Sequence, residues 1–349
     1  MKIIQVCPRY FPDVGGVETH VREISERLAK KGFEVEVCTC TTSKYSPKEE
    51  INGVVVRRFR AFAPDNAYYL SPKLYLYLKK AECDIIHAHN YHAFPALFAA
   101  LAKGERKLVF TPHYHKVSGS AFRNILLEAY KLPGSLIFNR SDTVVCVSRY
   151  ESELVKKDFK VTPVVIPNGI DLKKIENIRP FNFSSKLVFY VGRIEEYKNI
   201  HRVIQSMKYL DDFYFYIAGK GSFEIELKKI VKNLGLENRV KFLGYIDEKT
   251  KFRWLKTCSV FVNLSPIEAF GITVLEALAC GKPCVVNRNG ASVEFASKFD
   301  CVFAVDDDTS PKELANTIRN CAETEIQVDL KEYDWDEIVE KILNTYFQQ

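Results

Sequence analysis

The fold is decided by the stretch Val260-Phe-Val-Asn-Leu-Ser-Pro-Ile-Glu-Ala-Phe-Gly-Ile-Thr-Val-Leu-Glu-Ala-Leu-Ala-Cys-Gly-Lys-Pro-Cys-Val-Val286. Its apolar ends, Val260–Asn263 and Cys284–Val286, predict two short strands. Residues 272–280 between them predict a helix, which a glycine and a proline then terminate. Two strands joined through a helix are expected to lie parallel in one sheet.

The same alternation of apolar runs and amphipathic segments extends along the whole chain. Strands are predicted at Ile3–Val6, Val35–Cys40, Val54–Val56, Asp84–His87, Leu108–Thr111, Thr143–Val147, Val164–Ile166, Leu187–Val191, Phe213–Ala218, Val240–Leu243, Val260–Asn263, Cys284–Val286 and Val302–Val305. In the first helix, apolar residues from Val17 to Leu28 recur at steps of four, three and four. Later helices are predicted at 199–209, 223–234, 248–256, 272–280 and 311–322. This pattern indicates α/β architecture with parallel sheets covered on both faces.

The length and one break in the pattern predict two domains. A chain of 349 residues exceeds the usual size of a single core. The alternation stops over Leu172–Ser185, which we interpret as a linker. The predicted domains are therefore residues 1–172 and 184–332, both doubly wound and Rossmann-like. One more amphipathic helix begins near Trp335 and ends the chain.

The composition excludes several classes of protein. Apolar residues make up 47% and charged residues 27%, as in globular proteins, and no apolar run reaches the length of a membrane-spanning helix. Ten cysteines without CxxC spacing indicate buried, reduced thiols in a cytoplasmic protein rather than a zinc site. The first 179 residues carry a net charge of +9 and the remainder −3. A basic half suits an anionic acceptor or the inner face of a membrane, or it is a solvated surface; nucleic acid is disfavoured.

Ligands of open α/β sheets bind beyond the carboxyl ends of the strands, so loops that follow strands are the candidate sites. Gly15 and Gly16 follow the first strand and open the first helix, where free N–H groups attract anions. This is not GxGxxG, and the second strand ends without an acidic residue, so a nicotinamide dinucleotide is disfavoured. The alternative is a glycine turn that serves packing alone.

In the second domain, three loops carry candidate ligand groups. Arg193 and Lys198 follow one strand and suit a pyrophosphate, although two solvated surface cations are an equal alternative. Gly219 belongs to a glycine-rich turn after the next strand, without P-loop spacing. Glu268 precedes Gly271 at a predicted helix N-terminus, and Glu276 lies on that helix between apolar neighbours. Both carboxylates suit sugar or ribose hydroxyls, because a carboxylate would repel phosphate.

Histidines also follow two strands of the first domain. His113 and His115 come after the fifth predicted strand, and His87 and His89 show the same spacing after the fourth. We interpret His113 as a hydrogen-bonding group at the sheet edge. A metal cluster is disfavoured, because no carboxylate lies beside these histidines at ligand spacing.

Taken together, these motifs resemble the retaining glycosyltransferases of family four, whose two domains form the GT-B fold. The resemblance covers nearly the whole chain. It is carried by Gly15-Gly16-Val17-Glu18, Ile166-Pro-Asn-Gly-Ile-Asp171, Gly192-Arg193 with Lys198, Gly219-Lys-Gly221, Phe242-Leu-Gly244, and Glu268 with Glu276 eight residues later. It implies two domains that face each other across a cleft, with the second binding a nucleotide sugar. It also implies that the last helix, residues 334–349, packs back on the first domain.

The resemblance also implies roles for individual residues. Glu268 and His113 would act at the donor sugar as the catalytic pair, with His115 as a less certain neighbour. The predicted substrate-binding residues are Gly15, Gly16, Arg193, Lys198, Gly219, Ile246, Phe270, Gly271, Ile272, Thr273 and Glu276. Among these, Arg193 and Lys198 would bind the diphosphate and Glu276 the ribose, and Ile246 would lie near the base.

The implied reaction is a retaining transfer of a hexose from a nucleotide sugar to a hydroxyl of a glycan, a lipid-linked acceptor or a small polar molecule, in glycan or cell-envelope biosynthesis. Cations and helix N-termini would stabilise the leaving diphosphate, so no cofactor and no metal are expected. An epimerase of the same fold and a non-catalytic partner subunit remain alternatives. The segment Ala61–Leu78, rich in tyrosine, is a candidate wall for a lipid-linked acceptor at a membrane surface.

Overall fold

A computed structural model describes residues 1–64, 68–116 and 121–347, with the backbone alone over residues 121–129. The chain divides into two compact units. The first contains Met1–Gly169 together with Glu332–Gln349, and the second contains Ile170–Lys331.

Each unit is built on its own sheet. The strands are β1 Lys2–Cys7, β2 Glu34–Thr41, β3 Lys48–Ile51, β4 Val54–Arg60, β5 Ile85–His89, β6 Lys107–Thr111, β7 Thr143–Cys146, β8 Val164–Val165, β9 Lys186–Val191, β10 Phe213–Ala218, β11 Val240–Gly244, β12 Val260–Asn263, β13 Cys284–Asn287 and β14 Val302–Val305. The helices are α1 Gly16–Lys30, α2 Pro72–Lys80, α3 Phe94–Ala102, α4 Ala121–Arg140, α5 Arg149–Phe159, α6 Leu172–Glu176, α7 Ile200–Ser206, α8 Glu224–Asn233, α9 Glu248–Thr257, α10 Ile272–Ala279, α11 Val293–Ala296, α12 Pro311–Ala322 and α13 Trp335–Phe347.

The sheet of the first unit has the order β3-β4-β2-β1-β5-β6-β7-β8. All its pairs are parallel except β3 with β4. Side chains of β1 alternate between the two faces, as in any strand. Ile3 packs in a cluster with α1 and α13, whereas Ile4 packs in a cluster with α2, α3, α4 and α5. The strand order reverses between β1 and β5, which opens a crevice at their carboxyl ends.

The sheet of the second unit has the order β11-β10-β9-β12-β13-β14, with every pair parallel. Helices α7, α8 and α12 bury their apolar residues in one cluster on this sheet. Helices α9 and α10 pack against β9 and β12. The strand order reverses between β9 and β12, so the loops that follow these two strands lie at the crevice of this unit.

The predicted α/β class and its parallel sheets are confirmed, and most predicted elements agree with the structure to within a few residues. Helix α12 and strands β10, β12 and β14 have the predicted bounds. Strand β3 was not predicted, because its sequence Lys-Glu-Glu-Ile lacks an apolar run and its residues are largely exposed.

Two predictions need correction. The linker predicted over Leu172–Ser185 is structured and belongs to the second unit, which begins at Ile170. It contains α6, and the Phe181 ring packs on Trp254 with centroids 4.3 Å apart. The prediction that strand four ends at His87 is also wrong, because β5 continues to His89.

Helix α13 belongs to the first unit and contacts α1 and β6. Arg27 Nε on α1 donates to Asp336 Oδ1 at 2.9 Å, and the Trp335 ring lies 5.8 Å from that of His20. The last two residues of the helix predicted over 334–349 lie outside the described residues.

All ten cysteines are free thiols, and eight are buried. Burial raises the pKa of most of them, for example to about 12 at Cys280 and Cys258, so they stay protonated at neutral pH. In the described part of the chain, no helix combines the length and hydrophobicity that crossing a bilayer demands.

Candidate functional site

The crevice of the second unit joins two of the predicted residues in an ion pair. Lys198 ends a short 3-10 turn after β9, and Glu268 lies in the loop after β12. Lys198 Nζ lies 2.5 Å from Glu268 Oε1, with both side chains largely buried. The Asn263 amide donates more weakly to the same oxygen, at 3.5 Å. The pair places one cation and one carboxylate side by side at the reversal of the strand order.

The N-terminus of α10 lies in the same loop. Gly271 caps it with φ 95°, a conformation that favours glycine, and an added Cβ would lie 2.6 Å from Ser292 Oγ. The amides of Ile272 and Thr273 precede Val274, which donates to the Gly271 carbonyl. Amides of a first turn are available to an anion. The Phe270 ring packs edge-on against Phe295, with centroids 5.3 Å apart, and anchors the loop.

Glu276 lies one turn further along α10 and is buried. Its Oε1 accepts a hydrogen bond from Lys251 Nζ on α9 at 2.5 Å. Its Oε2 has no hydrogen-bond partner among the described residues. Burial raises the pKa of this carboxyl group, and Lys251 lowers it. The sequence analysis missed Lys251, because a lysine in a lysine-rich amphipathic helix is typical of a solvated face.

The remaining predicted residues of this unit surround the crevice. Arg193 is exposed, and its Nη2 donates to the Tyr197 hydroxyl at 3.0 Å rather than joining the Lys198 pair. Gly219 N donates to the Gly244 carbonyl at 2.7 Å, and a side chain at Gly219 would collide with the Gly192 carbonyl. Ile246 is half-buried in the turn after β11.

In the first unit, Gly15 and Gly16 lie where predicted, at the N-terminus of α1. A Cβ at Gly15 would overlap the carboxylate of Glu18, which Arg9 holds through an ion pair of 2.7 Å. Gly15 has an extended backbone, so space rather than backbone conformation requires a glycine here.

His113 follows β6 in a left-handed backbone conformation, with φ 48°. Its ring is buried and packs edge-on against His20, with centroids 4.9 Å apart. Burial, together with the neighbouring histidines, holds the pKa of His113 well below its usual value. The imidazole is therefore neutral at physiological pH. The ring of His115 stacks on that of His92, with centroids 4.1 Å apart.

The other two predicted histidines lie inside β5. Residues two apart in a strand share a face, and the rings of His87 and His89 lie 4.1 Å apart. His87 is satisfied by the Tyr346 hydroxyl at 2.7 Å and by the Thr111 hydroxyl at 2.8 Å. His20, which the sequence analysis did not consider, brings α1 into contact with His89 and His113.

Two α/β units, each built on a largely parallel sheet, with an ion pair and a helix N-terminus at the sheet crevice of the second unit, are typical of a glycosyltransferase of the GT-B class. Comparison with known proteins supports this class. The profile of Glycosyltransferase Family 4 matches residues 14–174, and that of Glycosyl transferases group 1 matches residues 172–342. The chain therefore belongs to the group 1 glycosyltransferases of family 4.

Relatives and solved structures agree with this membership. The chain is 28% identical to alpha-monoglucosyldiacylglycerol synthase of Streptococcus pneumoniae, over 83% of this chain and 71% of that protein. Sucrose-phosphate synthase of Thermosynechococcus elongatus superposes with a TM-score of 0.80 at 21% identity, over 99% and 98% of the two chains. Anabaena HepE, solved with UDP and glucose, gives a TM-score of 0.79 at 20% identity over the full length of both chains.

Proposed function

We propose that the protein is a retaining glycosyltransferase that moves a hexose from a nucleotide sugar to an acceptor hydroxyl, without a metal ion. The observation that carries the proposal is the state of Glu276. One oxygen of this buried carboxylate is held by Lys251, and the other has no partner in the described part of the chain. A buried polar atom needs a partner, and the hydroxyls of a ribose are good donors to a carboxylate.

The diphosphate of the donor is assigned to cationic and N–H groups in the loops at the crevice of the second sheet. Arg193 and Lys198 supply positive charge, and the first-turn amides of α10 supply N–H groups. These groups are fixed before the reaction, so they stabilise the negative charge that develops on the leaving diphosphate. A metal ion is not needed for this task.

The proposal assigns Glu268 to the sugar of the donor. Without a donor, its carboxylate is paired with Lys198. When the diphosphate occupies the far side of Lys198, Glu268 can accept hydrogen bonds from hydroxyls of the sugar. In the first unit, the neutral imidazole of His113 is assigned as a hydrogen-bonding group for a sugar hydroxyl. The bond between the anomeric carbon and the phosphate oxygen then breaks, the acceptor oxygen adds from the same face, and the departing phosphate takes the acceptor's proton.

The relatives support this donor and a range of acceptors. The relatives include an alpha-monoglucosyldiacylglycerol synthase, an N-acetyl-alpha-D-glucosaminyl L-malate synthase and an O-antigen chain mannosyltransferase. Anabaena HepE was solved with UDP and glucose. We propose by analogy that this protein builds a glycan or a component of the cell envelope.

The test is a thermal-unfolding panel of nucleoside diphosphates and their hexose conjugates, run in EDTA. A ligand that binds only the folded protein raises the melting temperature by mass action. We expect one base to raise it selectively, and we expect Lys198→Ala to lose most of that shift. Lys208→Ala, an exposed lysine after α7, is the matched control and should keep the shift. A shift that requires added metal, or that survives in Lys198→Ala, would contradict the proposal.

We propose further that the protein works in the cytoplasm, at an anionic membrane surface. Lys73, Leu76 and Lys80 recur on α2 at helical spacing and are exposed, and ten free thiols suit a reducing compartment. The predicted segment Ala61–Leu78 covers this helix as far as Leu78, and its residues 65–67 lie outside the described residues.

Flotation with vesicles tests the membrane surface. Wild type should float with anionic vesicles and not with neutral ones, because the lysines add electrostatic attraction. Leu76→Glu should remain in the soluble fraction. Ile225→Glu, at an exposed apolar residue of α8, should float like wild type. Equal flotation of the two variants would contradict the assignment of α2 as the membrane-binding helix.

A further inference from the structure

Three histidines from separate elements of the first unit converge at the crevice of its sheet. His20 lies on α1, His89 ends β5, and His113 follows β6. Each is at least nine-tenths buried. One ring nitrogen from each lies within 4.8 Å of the nitrogens offered by the other two. The ring centroids are 4.9 Å apart for His20 and His113, and 5.4 Å apart for His20 and His89.

Two amide side chains fix the protonation of this cluster. Asn168 Oδ1 lies 2.6 Å from His20 Nδ1, and Gln5 Oε1 lies 2.7 Å from His89 Nε2. The amide nitrogen of Gln5 is used by the Tyr346 hydroxyl, so its oxygen is the group that faces His89. A carbonyl oxygen accepts hydrogen bonds and cannot donate them, so both facing nitrogens carry the proton. The other nitrogens, His20 Nε2 and His89 Nδ1, therefore present lone pairs.

These lone pairs have no hydrogen-bond donor. His20 Nε2, His89 Nδ1 and His113 Nε2 are all buried and find no partner in residues 1–64, 68–116 and 121–347. The lone pairs of His20 and His89 repel each other, and all three buried nitrogens leave their desolvation uncompensated. A cation among them would remove both costs. The left-handed backbone of His113, unusual for a residue with a side chain, holds its ring in this group.

We propose that His20, His89 and His113 bind a divalent transition-metal ion of the Zn²⁺ type. Three neutral imidazoles form a ligand set that suits zinc, copper or nickel, whereas Mg²⁺ and Ca²⁺ require oxygen ligands. In metal sites, a carbonyl oxygen often accepts a hydrogen bond from the second ring nitrogen of a ligating histidine. Asn168 and Gln5 do so here, and each fixes the tautomer and orientation of one ligand. Three protein ligands leave a fourth coordination position open. His113 is the least buried of the three, so the ion enters from its side.

The inference goes beyond the proposed function and does not depend on it. A metal ion on His113 Nε2 would occupy the ring that we assign to the donor sugar, so the ion would compete with that role rather than assist transfer. Binding is measured on the free protein without donor or acceptor. If no metal binds, the glycosyltransferase proposal is unaffected. If the protein proves not to be a glycosyltransferase, the metal-binding proposal is likewise unaffected.

The experiment titrates Zn²⁺ against a chromophoric chelator, using the full chain purified without a histidine tag and stripped with EDTA. We expect one equivalent to bind per chain and to raise the melting temperature. Asn168→Ala retains all three ligands and loses the carbonyl group that fixes the tautomer of His20. It should therefore bind Zn²⁺ roughly 10- to 100-fold more weakly. His20→Gln should lose the site. The matched control is His201→Gln, a half-buried histidine of the second unit, which should bind like wild type.

Co²⁺ supplies a second readout that separates imidazole from thiolate ligands. The cobalt spectrum should show ligand-field bands and no sulfur-to-metal charge transfer, because the three proposed ligands are imidazoles and none is a cysteine. Cooperative unfolding of each metal-free variant establishes that the variant is folded. If His20→Gln does not fold, Asn168→Ala still tests the site, because it retains all three ligands. Absence of stoichiometric binding, equal affinity in Asn168→Ala and His201→Gln, or a thiolate spectrum would overturn the inference.

Discussion

Lys251 decides whether the carboxyl group of Glu276 is ionised. The lysine lowers the pKa of Glu276, and burial, the larger effect, raises it. Glu276 Oε1 lies 2.5 Å from Lys251 Nζ, so the pair is a direct contact with little water between the charges. Lys251 does not itself reach the groups that we assign to the diphosphate. It is therefore a positioning residue for ribose binding.

Lys251→Met should make nucleotide binding dependent on pH. Without the lysine, the pKa of Glu276 rises further, and a protonated carboxyl group is a poorer acceptor for ribose hydroxyls. Affinity for the stabilising nucleoside diphosphate should fall most at mildly acid pH and recover as pH rises through the new pKa. Titration calorimetry over a pH series measures it. Lys249→Met, at an exposed lysine of the same helix, should follow wild type at every pH.

The stability of Lys251→Met should change with pH in the opposite direction. A folded-state pKa above the unfolded value means that the folded protein holds more protons, so the free energy of unfolding falls as pH rises between the two values. Loss of one partner of a buried pair costs about 3–5 kcal/mol once the remaining charge is ionised. Denaturant unfolding at several pH values should show the variant closest to wild type at low pH. Equal destabilisation across the series would contradict this account.

Both Lys251 and His20 show why some site residues were not predictable. The sequence predicts Glu268, Glu276 and Lys198 because each follows a strand or sits between apolar residues. Lys251 and His20 lie in the middle of amphipathic helices, where a polar residue is typical of a solvated face. Their roles come from contacts with α10, β5 and the loop after β6, and such distant pairings leave no local pattern.

At the scale of elements, Asn168 and Gly169 contact α1 and α13 within the first unit. Asn168 contacts His20 on α1, and Gly169 leaves room for the ring of Trp335. A Cβ at Gly169 would lie 2.5 Å from Trp335 Cδ2. This contact explains why the residue preceding Ile170 is a glycine, although its backbone conformation does not demand one.

Gly169→Ala should destabilise the first unit by about 1–3 kcal/mol, the usual cost of overpacking. Denaturant unfolding measures the loss. The same substitution made beside Trp335→Leu should cost less, because the smaller side chain vacates the space that the new methyl group needs. A double-mutant cycle isolates this coupling. Equal costs in the two backgrounds would show that the Trp335 ring does not set the requirement for glycine.

The elements themselves were largely predictable, because apolar runs of β-branched residues and helical periodicity are local signals. β3 was missed since its four residues are mostly charged, and it pairs only with β4. The stretch Leu172–Ser185 was taken as a linker because it lacks any period. The structure gives it a short capped helix, in which Asp171 accepts from the Lys174 amide, and aromatic contacts to α9 that no periodicity records.

At the scale of the whole molecule, the two units carry different ligand chemistry. The second unit holds Lys198, Glu268 and Glu276, which suit a nucleotide, and the first holds the neutral histidine cluster, which suits a transition metal. Two ligands should therefore protect different parts of one chain. Hydrogen exchange measures this protection, because backbone amides exchange through local opening and a bound ligand suppresses that opening.

A nucleoside diphosphate should slow amide exchange most strongly in the loop that follows β9 and at the start of α10. Zn²⁺ should slow it at the end of β5, in residues 111–115 and on α1 around His20. Lys251→Met should abolish the first pattern at mildly acid pH and leave the second intact, whereas Asn168→Ala should weaken only the second. If the nucleotide protected mainly the histidine cluster, the assignment of the two ligands to different units would be wrong. The nucleotide would then bind the first unit, whereas Glu276 and Lys251 lie in the second.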